Sequence, residues 1–338
     1  VTRRAGAYIL GCSGPALTPA ERRFFAEANP LGFILFSRNV RDPSQVRALV
    51  DSLRETVGRR VPVLIDQEGG RVQRLTAPYW RVWAAAAAQV EAVGSDLAAR
   101  SMYLRSRLIA RELNLLGIDV NCAPVADIAR PETHAVLKNR CYGTEPAHVI
   151  RIARAVADGL LEGGVLPVLK HIPGHGRATL DSHKDLPRVK TSHSVLEATD
   201  FAPFRALSDL PMAMTAHVIY DTLDAGTPVT TSGEAVLFLR RGLGFQGFLM
   251  TDDISMKALS GSLTARCEAS LGAGCDAVLH CNGNLAEMEE VAAASGTMSE
   301  KAAARLARAL ARRRAAVPGD IAALAAELDG MLGTKRNA

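Results

Sequence analysis

The chain has 338 residues, 48% of them apolar and 22% charged, an ordinary globular composition with ample material for a large core. Its net charge of +5 is scattered except at Arg312–Arg314 and Lys335–Arg336, and only 5% of residues are aromatic. The basic, aromatic-studded stripe of a nucleic-acid binder is therefore missing, and no segment approaches the ~18 apolar residues of a membrane span.

Short apolar runs alternate with helical stretches along the whole chain, the pattern of parallel βα units. Arg3–Arg4 followed by the apolar run Ala5–Leu10 and Gly11-Cys12 faintly mimics a lipoprotein signal. The run falls short of the roughly 7–15 residues of a signal core, and a first barrel strand explains it better. Thr18-Pro19-Ala20-Glu21 then supplies an N-cap, a proline at the first helical position and a capping-box glutamate. Strand Leu31–Phe36 follows, and Asp42-Pro43-Ser44-Gln45 repeats the same start signal. Next come strand Val61–Ile65, a long helix Ser95–Leu116, strand Ile118–Cys122, helix Pro146–Leu161 and strand Val165–Leu169. Helix Val195–Leu207, strand Pro211–Met214, helix Glu234–Leu239 and strand Gly247–Met250 continue the alternation. Helix Leu263–Leu271, strand Ala277–Leu279 and helix Leu285–Ala294 complete it. Two alanine-rich helices, Ser299–Ala316 and Ile321–Met331, are expected on the outside. This arithmetic predicts one (β/α)8 TIM-barrel domain over residues 1–338; a doubly wound sheet is the alternative, but no glycine-rich dinucleotide motif follows any strand. The six cysteines, Cys12, Cys122, Cys141, Cys267, Cys275 and Cys281, form no CxxC pair, as expected of reduced thiols in a cytoplasmic protein.

In such a barrel the C-terminal strand ends build the active site, and here they turn polar together. They offer Asp66 to Arg74, Asn121 with Asp127, Lys170 with His171, Thr215-Ala216-His217, Thr251-Asp252-Asp253 and His280-Cys281-Asn282. A ring of carboxylates, amides and cations suits a neutral, hydroxyl-rich ligand such as a sugar, because each substrate hydroxyl needs a partner.

The loop Lys170–Pro187, KHIPGHGRATLDSHKDLP, is the densest polar stretch. His171 and His175 have helical metal-ligand spacing, but Pro173, Gly174 and Gly176 forbid that helix. A metal-dependent hydrolase using His171, Asp181, His183 and Asp252 therefore stands as the minor alternative. In Asp181-Ser182-His183 a carboxylate can hold one ring nitrogen while the other exchanges a proton with substrate. Asp252 and Asp253 point to opposite faces of an extended strand end, so only one of them faces the barrel mouth. A carboxylate there can attack an anomeric carbon.

The ordered motifs DQEGGRVQR (Asp66–Arg74), NRCYG (Asn139–Gly143), KHIPGHG (Lys170–Gly176), DSH (Asp181–His183) and TDDISM (Thr251–Met256) resemble those of the bacterial β-N-acetylglucosaminidases of glycoside hydrolase family 3. The resemblance spans roughly residues 5–295. It implies a retaining, cytoplasmic enzyme of peptidoglycan recycling that removes terminal β-linked GlcNAc from GlcNAc-1,6-anhydroMurNAc and its peptides. It also implies Asp252 as nucleophile, His183 as acid/base with Asp181 as its partner, and Asp66, Arg74, Arg140, Lys170 and His171 as sugar-binding residues. The expected partner is this amino-sugar substrate alone, with no metal, cofactor, nucleic acid or membrane, acting on a monomer. Within the family, a broader β-glycosidase or a phosphorylase is the alternative, since a neutral imidazole does not repel incoming phosphate; outside the class, a non-catalytic sugar-binding protein is the other. Ile172 for a frequent phenylalanine, Cys141-Tyr142 for Ser-Phe and TDDISM for SDDLSM are small departures from the family pattern.

Overall fold

The computed structural model describes residues 4–178 and 186–333. Its strands, in chain order, are β1 (Gly6–Gly11), β2 (Pro30–Leu35), β3 (Val63–Ile65), β4 (Val120–Asn121), β5 (Leu166–Ile172), β6 (Arg188–Val189), β7 (Met212–Thr215), β8 (Ile219–Tyr220), β9 (Phe248–Asp253) and β10 (Ala277–His280). Eight of them close a parallel barrel in the order β1-β10-β9-β7-β5-β4-β3-β2, while β6 and β8 pair as a separate ribbon. All eight predicted strands are present. One boundary differs in a way that matters: β5 runs to Ile172, so Lys170 and His171 belong to the barrel wall and not to the loop after it.

The predicted helix starts hold at atomic detail. Thr18 Oγ1 accepts from Glu21 N–H at 3.1 Å, and Glu21 Oε2 accepts from Thr18 N–H at 2.9 Å, a complete capping box. Asp42 Oδ1 caps Gln45 N–H at 2.9 Å, but the Gln45 amide oxygen turns one residue further back, to Arg41 N–H at 2.8 Å. The helix expected over Val195–Leu207 is two pieces, His193–Ala198 and Ala202–Ala206. Pro203 has no N–H to continue the ladder, and Asp200 at the break turns inward to accept from Arg177 Nε at 2.7 Å.

Side chains one residue apart on a strand enter different apolar cores, as a two-residue period requires. Ile9, Leu64, Val168, Met212, Met250 and Leu279 share one buried cluster. Their neighbours Leu10, Ile65, Leu169, Ala213, Leu249 and Val278 join the helices in another. The first cluster, built from the strands, is the barrel interior; the second is the layer between wall and helices.

The interior cluster also takes in Met298, Ala302, Leu306 and Ala309. The helix Glu300–Ala311 is therefore the floor of the barrel, unlike the outer placement expected from its position in the sequence. Its flank is tied down by residues that immediately precede strands: Arg305 Nη1 meets Asp276 Oδ1 at 2.8 Å, and Arg313 Nη1 meets Asp119 Oδ1 at 3.0 Å. The last helix, Ile321–Gly333, does lie outside, where Glu327 pairs with Arg100 of the long helix at 2.7 Å. No described helix is long and apolar enough to cross a membrane.

Candidate active site

Continuing the interior side of each strand one step past its apolar end gives the mouth. Ile34 is followed by Phe36, Leu64 by Asp66, Val168 by Lys170, Met250 by Asp252 and Leu279 by Cys281. Those five follow-on residues, with Arg74, Arg140 and His171, line a cavity of about 140 Å³. It is the top layer of the barrel filling, made polar.

Lys170, only 2% exposed, donates to Asp66 Oδ1 at 2.8 Å and lies 2.6 Å from Glu68 Oε1. Arg140 clasps Glu68 with two parallel bonds, Nε to Oε2 at 2.9 Å and Nη2 to Oε1 at 2.8 Å. Arg74 Nη2 reaches Asp66 Oδ2 at 3.2 Å, and its guanidinium lies over the Phe36 ring, 5.0 Å from the centroid. Burial by itself would raise both carboxyls. The Lys170, Arg74 and Arg140 charges outweigh it, holding Asp66 well below the usual carboxylate range and Glu68 down at about 2. The same carboxylates raise Lys170 against its own burial. A buried ion costs several kcal/mol unless paired, and here every member is paired.

Backbone anchors hold this ring. Asn121 Oδ1 and Nδ2 bond the backbone N–H and C=O of Gln67 at 3.0 and 3.1 Å. Gln67 Oε1 in turn accepts from Arg74 N–H at 2.9 Å, fixing where that cation leaves the loop. The buried Arg105 bonds the carbonyls of Glu68 and Ala84, and a side chain at Gly69 (φ 109°) would collide with its guanidinium. That is the physical need for glycine in the Glu68-Gly69-Gly70 turn.

Asp127 accepts from His171 Nδ1 at 2.7 Å and from the backbone N–H groups of His171 (3.2 Å) and His175 (2.7 Å). Arg140 Nη2 lies 3.4 Å from His171 Nε2 and can only donate. His171 is thus held with its Nδ1 proton on Asp127 and Nε2 facing the cavity. From there Nε2 is 4.0 Å from Asp252 Oδ2.

Asp252 Oδ1 accepts the Asp253 N–H at 2.8 Å, and among the described residues Oδ2 accepts no hydrogen bond. Burial would raise this carboxyl; the His171 and His217 imidazoles and the Asp253 N–H together hold it below its ordinary value, so it is ionised at neutral pH. Asp253 also lines the cavity, but its carboxylate is engaged: it takes the Ser255 N–H at 3.1 Å and hydroxyl at 2.9 Å and braces the turn after β9.

Three further histidines lie around the site. His217 Nε2 donates to the Asp253 carbonyl at 3.0 Å while Nδ1 accepts from Thr230 at 2.7 Å. His280 meets Glu287 at 3.0 Å. His175 is buried, packs edge-on to His171 and is pushed down to about 4 by burial and that neighbour, so it is neutral at pH 7.

Asp66, Arg74, Arg140, Lys170, His171 and Asp252 therefore converge on one cavity. Asp181 and His183 lie outside the described residues. So does half of the metal alternative, which needs those two side chains beside His171 and Asp252. Sequence reasoning missed Phe36 and Glu68 as the central anion; inward parity at the end of β2 would have found the first.

Fold and site together define a barrel hydrolase of the glycosidase class: a carboxylate oxygen that accepts no hydrogen bond among the described residues faces a pocket at the C-terminal end of the strands. The model of the glycosyl hydrolase family 3 N-terminal domain matches residues 18–312. A beta-hexosaminidase of Alkalilimnicola ehrlichii is 39% identical over 293 residues, covering 82% of this chain and 81% of that protein. Among solved structures, NagZ from Neisseria gonorrhoeae in complex with N-trifluoroacetyl-D-glucosamine superposes with a TM-score of 0.86 at 29% identity, covering 98% of this chain and 99% of that one. A family 3 beta-N-acetylglucosaminidase from Paenibacillus gives 0.84 at 28% identity, covering 96% of this chain and 67% of the other. The chain belongs to glycosyl hydrolase family 3 and is a glycoside hydrolase.

Proposed function

We propose that this enzyme is a retaining exo-β-N-acetylglucosaminidase, releasing terminal β-linked GlcNAc from GlcNAc-1,6-anhydroMurNAc and its peptides during cell-wall recycling in the cytoplasm. The observation that carries the reading is Asp252: ionised, at the cavity wall, with Oδ2 accepting no hydrogen bond among the described residues. The relatives' shared name, beta-hexosaminidase, supports the sugar class.

In the first step Asp252 Oδ2 attacks the anomeric carbon. The glycosidic C–O bond breaks, and His183, oriented by Asp181, delivers its proton to the departing oxygen. In the second step His183 takes a proton from water, the oxygen forms a bond to the anomeric carbon, and the Asp252 ester breaks. Asp66, Lys170, Arg74, Arg140 and His171 hold the sugar hydroxyls. The small cavity at the mouth, about 140 Å³, supports cleavage at a chain end. The enzyme works as a monomer and needs no metal or organic cofactor.

The test is trapping with a 5-fluoro N-acetylglucosaminyl fluoride, followed by peptide mass spectrometry. The expected product is a single adduct on Asp252. Turnover of an aryl N-acetylglucosaminide with the adduct on another residue would refute the assignment; faster turnover of the aryl glucoside would refute the sugar specificity.

A further inference from the structure

A second cavity, about 640 Å³, opens at the opposite end of the barrel, beneath the chain that crosses from the floor helix to the last helix. Arg107 and Arg111 of the long helix, Arg313, Arg314 and the apolar stretch Ala315–Val317 line it, and among the described residues no carboxylate does. Arg313 is fully engaged: Nη1 on Asp119 at 3.0 Å, Nε on the Gly164 carbonyl at 2.8 Å and Nη2 on Asn114 at 2.9 Å. Arg107 is not. Its Nη2 donates to the Val317 carbonyl at 2.9 Å, but Nε and Nη1 have no hydrogen-bond acceptor among the described residues, although the side chain is 5% exposed. The nearest carboxylate, Glu162, stands 4.0 Å from Nη1 and is already bonded to the Tyr103 hydroxyl.

Arg107 spends one Nη2 proton on Val317 and finds no hydrogen-bond acceptor for Nε or Nη1 among the described residues, so this end of the barrel holds more cationic donors than acceptors. The fork geometry of arginine matches phosphate oxygens, and further guanidiniums at the rim add attraction that salt weakens. The volume falls in the range of small-molecule sites. We propose that this cavity binds a phosphorylated small molecule, its phosphate on Arg107, Arg111 and Arg314 and its organic part against Ala315–Val317. The site is separate from the mouth and does not depend on which sugar the enzyme cleaves.

Titration calorimetry of the full chain with inorganic pyrophosphate at low ionic strength tests it. Saturable binding is expected, weakened about tenfold by Arg111→Gln and by Arg314→Gln, with kcat and KM on an aryl N-acetylglucosaminide unchanged. Arg107→Gln should weaken binding further. Because Arg107 also holds the crossover through Val317, the two rim variants carry the test. Absence of saturable binding, binding undiminished in the Arg111→Gln/Arg314→Gln double variant, or binding lost instead on Arg74→Gln would overturn the proposal.

Discussion

The two ends of this barrel treat charge in opposite ways. At the C-terminal mouth, Lys170, Arg140 and Arg74 each meet a carboxylate within 3.2 Å, and the cavity left over is small. At the N-terminal floor the apolar face of the helix Glu300–Ala311 plugs the interior, and arginines gather around a larger cavity with no carboxylate among its described lining residues. The mouth is a preorganised network in which one carboxylate, Asp252, keeps an oxygen that accepts no hydrogen bond among the described residues. A ring of charges already paired before substrate arrives needs little reorganisation.

The sharpest way to break this contrast is at Asp252. Asp252→Asn should lower kcat by ~10⁴–10⁶-fold with every leaving group, since the amide cannot form the glycosyl ester. Steady-state rates on aryl N-acetylglucosaminides measure it, and substantial residual turnover would mean that another group attacks. His183→Ala should lose ~10²–10⁴-fold, the loss shrinking as leaving groups become more acidic and need less protonation. A loss independent of leaving group would remove the acid role.

The paired ring itself is probed by Lys170→Met, which strips the cation from two buried carboxylates. A destabilisation of about 3–5 kcal/mol in urea unfolding is expected near neutral pH. Glu68 sits at about 2 in the fold against an ordinary 4.5, so its pairing stabilises above pH 4.5 and is lost as pH falls toward 2. The deficit of the variant should therefore shrink in acid; a pH-independent deficit would contradict the ion-pair account.

Glu112 behaves in the opposite sense. Burial lifts its carboxyl from 4.5 to about 7, against the opposing pull of the Arg81 N–H and charge. The fold then favours its protonated form, so its contribution is fully present below pH 4.5 and is lost as pH rises to 7. Glu112→Gln should abolish that slope and stabilise the protein by about 1–2 kcal/mol above pH 7, the partly solvated carboxyl screening the remainder. Parallel stability curves for variant and parent between pH 5 and 8 would exclude it.

Much of this was legible in the chain. The eight strands announced themselves because parallel strands covered on both sides are continuous apolar runs between helices with strong caps. The mouth residues were legible because polar groups cannot follow a buried strand without a purpose. The residues alone left Asp252 and Asp253 on opposite faces; the fold gives Asp252 the parity of Phe248 and Met250, both of which are in the interior cluster. Less was legible where partners come from afar. Glu68 looked like part of a turn, because its two cations, Arg140 and Lys170, arrive from strands and loops distant in sequence. Arg312–Arg314 reads as a solvated helix face, yet the helix stops at Ala311 and Arg313 reaches Asp119.

By itself, then, the order of residues determined the period of each element, the count of βα units and which side chains stand at the strand ends. Those are local matters of backbone sterics, capping and apolar alternation. Only the closed barrel decided that Asp127 fixes the His171 ring, that Asp252 Oδ1 takes the Asp253 N–H while Oδ2 faces the cavity without a hydrogen bond among the described residues, and that the helix Glu300–Ala311 plugs the floor. Each of these rests on contacts between segments far apart along the chain, and such contacts exist only once the sheet has closed.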